Sequence, residues 1–295
     1  MTDYLVKGIA LNQKVRLVVV KTTDLCQRAR MQHDLMPTSL AALGRVMSVG
    51  AMMATNLKGE DEKIGIQING NGPLGTCMVE CKANGDVKGF VGNNEIYLKY
   101  NDSGKLAVGL AVGNEGFLQV TKHMGMKTNF SSKVALQSGE IGDDFSYYFT
   151  VSEQTPSVVS VGVLVDTDTT CLAAGGILIQ LLPGAEEEDI QKVEAVVSKM
   201  EPISSLINQG KSPQEILLSL FDDAQVLSES EVQWSCDCSK DRFKAALSTL
   251  HHEEIADMIK EDHGCEVKCE YCNTRYQFTE EELQFILEFK EACGR

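Results

Sequence analysis

Four cysteines near the end of the chain form two closely spaced pairs. Cys236 and Cys238 are separated by one residue, Cys269 and Cys272 by two, and 30 residues lie between the pairs. Four thiolates in two such pairs are what a tetrahedral zinc site needs. A tight turn brings both sulfurs of Cys-x-x-Cys to one ion, and side chains at i and i+2 of an extended segment point the same way. The spacing therefore predicts one zinc ion bound by these four cysteines.

Two other roles for the four cysteines are weighed against zinc. An iron–sulfur cluster also takes four thiolates, but this ligand spacing favours it less. Cysteine is also often a small buried apolar residue. Two spaced pairs within a charged segment of about 60 residues argue against a role as core residues. So small a segment usually needs a metal or disulfides to stay folded. A closed four-cysteine zinc site has no open position for substrate, which argues against zinc hydrolysis here.

The other six cysteines lack metal-ligand spacing. They are Cys26, Cys77, Cys81, Cys171, Cys265 and Cys293. Cys77 and Cys81 share a predicted strand face and Cys171 lies in an apolar run, so all three are predicted to be core residues. Cys265 lies four residues before Cys269 and is predicted to be a bystander. The remaining two have no partner pattern.

The charge of the chain is strongly acidic and unevenly placed. Among 295 residues there are 27 Lys and Arg against 42 Asp and Glu, a net charge of -15. Residues 1–184 hold 16 basic and 17 acidic side chains, whereas residues 185–295 hold 11 and 25. Binding to nucleic acid or to an anionic membrane rests on Lys and Arg. We therefore expect neither nucleic acid nor membrane among the partners.

The sequence also indicates in which compartment the protein works and whether it is an enzyme. The first residues have no signal-peptide core, and the longest apolar patches are shorter than the ~20 residues that span a bilayer. Ten cysteines in such a chain argue for metal or redox chemistry in the cytoplasm. The chain has no Gly-x-Ser-x-Gly, no Walker loop and no His-Glu-x-x-His. We expect a cytoplasmic protein that is not an enzyme.

The front of the chain is predicted to be a mixed α+β domain. Apolar residues recur in steps of three and four over 35–57, which predicts a helix. Asn84-Gly85 is a hairpin signal between alternating segments. Strands are predicted at 15–20, 64–68, 77–81 and 157–165. These elements predict an N-terminal α+β domain over 1–184 with a largely antiparallel sheet.

Composition changes after residue 184. Apolar residues over 190–207 line one side of a predicted helix, and Ser212-Pro-Gln-Glu215 is a capping box that opens a second helix. We expect both helices to pack on the sheet of the front domain. The sequence thus predicts an amphipathic helical linker over 185–231 and a small zinc domain over 232–295. Helices are predicted in the latter at 240–250, 252–262 and 280–289.

Several motifs along the chain occur in a familiar order. They are Gln67-Ile-Asn-Gly-Asn-Gly-Pro-Leu74 with Glu80, Ser152-Glu-Gln154, Ala173-Ala-Gly-Gly176, Leu182-Pro183, Cys236-Asp-Cys238 and Cys269-Glu-Tyr-Cys272-Asn-Thr-Arg-Tyr-Gln-Phe278. Over essentially its full length the chain resembles the redox-regulated heat-shock chaperones of bacteria, the 33 kDa chaperonin family.

The resemblance implies both a function and a disulfide pairing. In that family the reduced, zinc-bound form is an idle monomer. Oxidants such as peroxide, with mild unfolding, release zinc and form two disulfides. Carried over, these would be Cys236–Cys238 and Cys269–Cys272. The linker then unfolds, a homodimer forms, and unfolding client proteins are held without ATP so that they do not aggregate during oxidative stress.

Two alternative functions remain open at this point. The first is a thiol–disulfide oxidoreductase that uses Cys269-x-x-Cys272. Such motifs usually open a helix beside a strand, whereas here the context is a turn. The second is a zinc-stabilised interaction module with no redox response, which would keep its zinc under peroxide. A nucleic-acid-binding zinc finger is disfavoured by the acidic charge of residues 185–295.

Overall fold

The computed structural model describes residues 2–59, 61–100, 102–125 and 129–292. The chain divides into two compact units, Met1–Ser235 and Cys236–Arg295. The first unit contains β1 (Tyr4–Ala10), β2 (Val15–Lys21), α1 (Thr23–His33), α2 (Pro37–Ala54), β3 (Lys63–Asn69), β4 (Cys77–Lys82), β5 (Asp86–Val91), α3 (Val108–Val112), β6 (Phe117–His123), β7 (Phe130–Ala135), α4 (Gly142–Val151), β8 (Ser157–Val165), β9 (Cys171–Leu181), α5 (Glu187–Val197), α6 (Ile203–Asn208), α7 (Pro213–Leu220), β10 (Gln225–Glu231) and β11 (Gln233–Trp234).

Two sheets with one helix between them form the core of the first unit. The first sheet has the order β10-β1-β2-β9-β8, and the second has the order β11-β5-β4-β3-β6-β7. All neighbouring strands are antiparallel except β11 and β5. Helix α2 packs against strands of both sheets and is buried on all sides, which explains its apolar sequence. The α+β class with largely antiparallel sheets is confirmed.

Helices α5 to α7 cover the other face of the first sheet. Val193 of α5, Ile203 of α6 and Leu217 of α7 join a second apolar cluster with residues of β1, β2 and β9. Ser212 caps α7, and its hydroxyl accepts a hydrogen bond from the amide of Glu215 at 3.2 Å. Both the capping box and the expected packing on the front sheet are confirmed.

The helix expected over 190–207 is two helices, not one. Helix α5 ends at Val197, and α6 begins at Ile203, directly after Pro202. Proline has no amide hydrogen to donate to a preceding turn, and it disfavours helical backbone in the residue before it. The apolar periodicity continues across the break, which is why the sequence pattern alone missed it.

Residues 185–231 are also not helical throughout. Their last seven residues form β10, which pairs with β1, and β11 follows after the single residue Val232. We call residues 225–235 the edge segment. Strand β10 reads Gln-Val-Leu-Ser-Glu-Ser-Glu and is mostly exposed, so it lacks the apolar alternation by which strands are recognised.

The second unit is small. It contains α8 (Lys240–Leu247), α9 (His252–Asp262), β12 (Gly264–Lys268), β13 (Arg275–Thr279) and α10 (Glu280–Ala292), and β12 and β13 form an antiparallel hairpin. Its buried apolar cluster consists of Leu247, Ile255, Phe278, Leu283 and Ile286. A core of this size stabilises a fold weakly without further support from a metal or disulfides.

Two adjacent leucines of α7 test how firmly the helix is held. Leu217 is 0% exposed against the first sheet, whereas Leu218 is 45% exposed. We expect Leu217→Ala to lower the free energy of unfolding by about 2–5 kcal/mol, because it leaves a cavity. Leu218→Ala should change it by less than about 0.5 kcal/mol. Urea unfolding followed by circular dichroism measures both, and equal losses would contradict the packing described.

Candidate metal centre

The turn between β12 and β13 positions one pair of cysteines. Cys269 and Cys272 lie at either end of this turn. The amide of Asn273 donates to the carbonyl of Cys269 at 2.7 Å, and the amide of Cys269 donates to the carbonyl of Thr274 at 2.9 Å. Asn273 has a left-handed backbone with φ of 58°, a conformation that asparagine tolerates well. The turn thus directs both sulfurs to one side.

The other pair lies in an extended segment that leads into α8. Cys236 and Cys238 flank Asp237, and Ser239 caps the helix by accepting a hydrogen bond from the amide of Arg242. The Arg242 guanidinium also donates to the carbonyl of Asp237 at 3.0 Å and forms an ion pair with its carboxylate at 2.8 Å. Alternation along the extended backbone leaves both cysteines on the same side.

All four sulfurs meet at one point within the second unit. The four Sγ atoms lie within 4.8 Å of one another. Cys236 and Cys269 have their sulfurs 3.8 Å apart, and those of Cys238 and Cys272 are 3.3 Å apart. A tetrahedron of sulfurs at the usual zinc–sulfur distance of ~2.3 Å has edges of about 3.8 Å. The structure therefore brings together the four cysteines singled out from the sequence, at a spacing that could hold a metal ion.

Hydrogen-bond donors surround the sulfurs. The amide of Cys238 donates to the sulfur of Cys236, and the amides of Tyr271 and Cys272 donate to the sulfur of Cys269. The Thr274 hydroxyl lies 3.2 Å from the sulfur of Cys272. Donors aimed at sulfur favour the thiolate, which is the form that binds a metal.

Tyr276 bridges the two halves of the site. Its hydroxyl lies 3.2 Å from the sulfur of Cys238 and donates to the carbonyl of the same residue at 3.1 Å. Its ring packs against Phe243 of α8 with centroids 5.2 Å apart. Tyr276 belongs to the motif quoted from the sequence, but its role depends on the register of the hairpin, which the sequence pattern does not show.

The environments of the four thiols differ. Burial raises the pKa of Cys236 and that of Cys269. Burial also acts to raise the pKa of Cys272, but hydrogen bonds from the hydroxyl and amide of Thr274, together with those from the thiols of Cys238 and Cys236, outweigh it and lower that pKa to about 7. A lowered pKa makes the proton of Cys272 easier for a metal to displace near neutral pH.

The remaining described cysteines lie apart from this cluster. Cys26, Cys77, Cys81 and Cys171 are buried in the first unit, and burial raises the pKa of Cys77 to about 12. Their assignment to the core is confirmed for Cys77, Cys81 and Cys171. Cys265 lies on β12 and is not one of the clustered thiols. Cys293 lies outside the described residues.

The surroundings of Cys269 and Cys272 bear on the oxidoreductase alternative. In thioredoxin-like enzymes the first cysteine of Cys-x-x-Cys lies at a helix N-terminus, where the helix dipole lowers its pKa. Here both cysteines lie in a hairpin turn, and burial raises the pKa of Cys269. The thiolates of Cys269 and Cys272 are favoured by hydrogen bonds from amides and from Thr274. Neither cysteine lies at a helix N-terminus, so the site differs from that of thioredoxin-like enzymes.

Fold and site together define a two-unit α+β protein whose small C-terminal unit carries a four-cysteine site. The family model described as "Hsp33 protein" matches residues 3–279, and the chain belongs to this family. It is 47% identical to the 33 kDa chaperonin of Bacillus velezensis over 283 residues, 96% of this chain and 97% of that one. It is 44% identical to the 33 kDa chaperonin of Bacillus cereus over 290 residues, 98% of this chain and 99% of that one.

A solved structure supports the same grouping. The crystal structure of the 33 kDa chaperonin from Thermotoga maritima superposes with a TM-score of 0.89 at 36% identity, covering 99% of this chain and all of that one. The family and the four-cysteine cluster fit a chaperone. Within the part of the chain that the structure describes, no helix is long and apolar enough to span a bilayer.

Two neighbouring cysteines allow a matched test of the ligand set. Cys269 belongs to the cluster, whereas Cys265 lies four residues earlier and does not. We expect Cys269→Ser to weaken Zn²⁺ binding by more than roughly a hundredfold, beyond what loss of a supporting hydrogen bond costs. Cys265→Ser should leave the affinity unchanged. Competition with a chromophoric chelator measures both, and equal affinities would show the ligand assignment to be wrong.

Thr274 offers a test that depends on pH. Thr274→Val removes the hydroxyl at Cys272 and should raise the pKa of that thiol, so that protons compete better with the metal. We expect about tenfold weaker Zn²⁺ binding near pH 7, with the difference shrinking toward pH 9. Thr274→Ser keeps the hydroxyl and should restore the affinity. The readout is chelator competition from pH 6 to 9, and a deficit that does not depend on pH would count against this role.

Proposed function

We propose that the protein is a redox-regulated holdase chaperone that works without ATP. In the reduced state one Zn²⁺ is bound by Cys236, Cys238, Cys269 and Cys272, and the protein is idle. Oxidation of these ligands releases the metal and turns the protein into a binder of unfolding proteins. The meeting of the four sulfurs in a unit with a very small core carries this proposal.

Zinc suits this site because of its donor set. Four thiolates with tetrahedral spacing favour zinc, which has no redox chemistry of its own. When bound, it would hold the two cysteine pairs together and supply folding free energy on the order of 10 kcal/mol. The five buried apolar residues of the second unit offer little to replace that contribution.

Oxidation would remove the ligands in two balanced steps. In each step two zinc-bound thiolates give two electrons to one hydrogen peroxide molecule, one S–S bond forms and the O–O bond breaks. Two protons from solvent complete the two waters that leave. By its likeness to its family we assign the pairs Cys236–Cys238 and Cys269–Cys272. A disulfide sulfur is a poor zinc ligand compared with a thiolate, so the ion leaves.

Loss of the metal would act on the first unit through the chain itself. Ser235 ends that unit, and the next residue is the ligand Cys236. Residues 185–295 carry 25 acidic and 11 basic side chains, so self-repulsion favours their expansion once the metal is gone. Release of α5 to α7 would uncover the apolar face of the first sheet, a surface suited to unfolding clients and to a second copy of the chain.

A client aggregation assay tests this function. A heat-unfolding reporter protein is followed by light scattering with the full chain either reduced and zinc-loaded or treated with peroxide at mild heat. We expect suppression by the oxidised sample alone, zinc release in the same sample, and reversal by a thiol reductant. Peptide mapping of that sample should find the two proposed disulfides.

The control for this assay is Cys265→Ser, which should behave as the unaltered chain does. Equal suppression by both forms, or by neither, would contradict the switch and favour a static zinc module. Catalytic turnover in an insulin-reduction assay would favour the oxidoreductase instead.

A further inference from the structure

One short stretch of chain covers an edge of each sheet in the first unit. The edge segment pairs with β1 through β10 and with β5 through β11. In both sheets it forms the outermost strand. Without it, β1 would present a row of unpaired amides and carbonyls from Tyr4 to Ile9, and β5 would present a shorter one at Asp86 and Val87. Such a row is a template for another extended chain.

The edge segment is held by its backbone and by a few side chains, among them Val226, which packs on the second apolar cluster, and Gln233, which donates to the Asp86 carboxylate at 2.9 Å. Beyond the β10 ladder, its amide hydrogen bonds run from Val232 to Asp3 at 3.2 Å, from Gln233 to Gly85 at 3.1 Å and from Ser235 to Val87 at 3.1 Å. Val232 and Trp234 pack against the core. Most of β10, by contrast, is polar and exposed. Backbone pairing of this kind depends little on sequence.

Within β10 the fit is imperfect. Leu227 has no partner residue on β1, because Lys7 lies opposite Ser228 and Gly8 lies opposite Val226. This β-bulge leaves the Leu227 side chain 61% exposed. Ser228 lies opposite Lys7, and its hydroxyl oxygen is buried with no hydrogen-bond partner among the described residues. A buried unpaired hydroxyl costs free energy that an apolar side chain in the same place would not. An unfolded chain with an apolar residue there would therefore fit β1 better.

Two glycines, Gly8 and Gly85, allow the main chain of the edge segment to come close to these strands. A Cβ added to Gly8 would lie 2.5 Å from the carbonyl oxygen of Gln225, and one added to Gly85 would lie 2.0 Å from that of Glu231. Only glycine allows the main chain of the edge segment to approach so closely. At both positions the nearest atom is a main-chain carbonyl oxygen of the edge segment, and at Gly8 the Leu217 side chain also lies close, at 2.8 Å.

We propose that β1 and β5 bind extended segments of unfolding proteins by strand addition, in the places that the edge segment fills in the reduced state. The proposal rests on the proposed function, because the edges become free only when the edge segment leaves. The occupant is a disordered polypeptide with alternating apolar residues, recognised chiefly by its backbone. Apolar side chains of the bound polypeptide would also contact the apolar face of the first sheet. Those contacts would increase affinity, but they are separate from the strand pairing proposed here.

Amide hydrogen exchange on the oxidised full chain tests the edges directly. We expect the alternate amides of β1 and β5 that face the edge segment to exchange faster after oxidation. They should slow by roughly tenfold or more when a heat-unfolded reporter protein is bound, as for amides in stable ladders. The opposite edges of the same sheets, β8 and β7, are the internal controls and should not change.

A synthetic peptide of residues 225–235 tests backbone recognition. It should compete with the reporter protein for the oxidised chain. A version with N-methylated amides over its first seven residues keeps every side chain but cannot donate to β1. We expect it to bind roughly tenfold or more weakly, because several backbone hydrogen bonds to β1 are lost. Equal competition by both peptides would overturn the proposal.

Other outcomes are equally decisive. If the reporter is held but protection appears on β7, β8 or the helices instead, strand addition is wrong while the holdase function stands. If β1 and β5 become protected on raising the chaperone concentration without any client, a second copy fills the edges and the client proposal fails. If the oxidised chain suppresses no aggregation in the same samples, the proposed function itself is wrong.

Discussion

The convergence of four sulfurs is the constraint on which the second unit depends. Thiolates within 4.8 Å of one another repel unless a cation lies among them. The amides of the Cys269–Cys272 turn and the hydroxyls of Thr274 and Tyr276 soften that repulsion but cannot cancel it. Because the buried apolar cluster in the described part of the unit is small, a metal bound by these sulfurs would contribute much of its folding free energy under the proposed function.

The environment of the other described thiols would make the proposed oxidation selective for the four clustered cysteines. Cys26, Cys77, Cys81 and Cys171 are buried in the first unit, and the pKa of Cys77 is raised by burial. Under the proposed function the metal keeps its four ligands as thiolates, the form that peroxide attacks, whereas burial without a metal disfavours the thiolate of Cys77. Under the proposed function, a chain with ten cysteines would thus direct oxidation to the few near its C-terminal end.

Much of the architecture and the four clustered cysteines could be predicted from the sequence. Cysteine spacing is a strong signal because metal geometry limits it, and α2 and α7 have clear apolar periods or caps. The break at Pro202 was missed because the apolar pattern continues on both sides of it. Strand β10 was missed because its sequence is polar and only its partner β1 makes it a strand.

Side-chain roles around the sulfurs were harder to predict than the sulfurs themselves. Tyr276 and Thr274 reach Cys238 and Cys272 only because the hairpin has one particular register. Turn residues of the kind found here do not specify that register by themselves. The sequence therefore could not predict the tertiary context. It did not show which strands are neighbours or which sulfur each hydroxyl approaches.

The chain has a single tryptophan, Trp234, and it lies in β11. Its indole packs against the core and meets the His33 ring edge-on, with centroids 5.8 Å apart. The one strong intrinsic fluorophore of the molecule is thus built into the strand that covers β5, two residues before Cys236. Its emission depends on whether that strand is docked, so the release that the proposed function requires can be followed optically in an unlabelled chain.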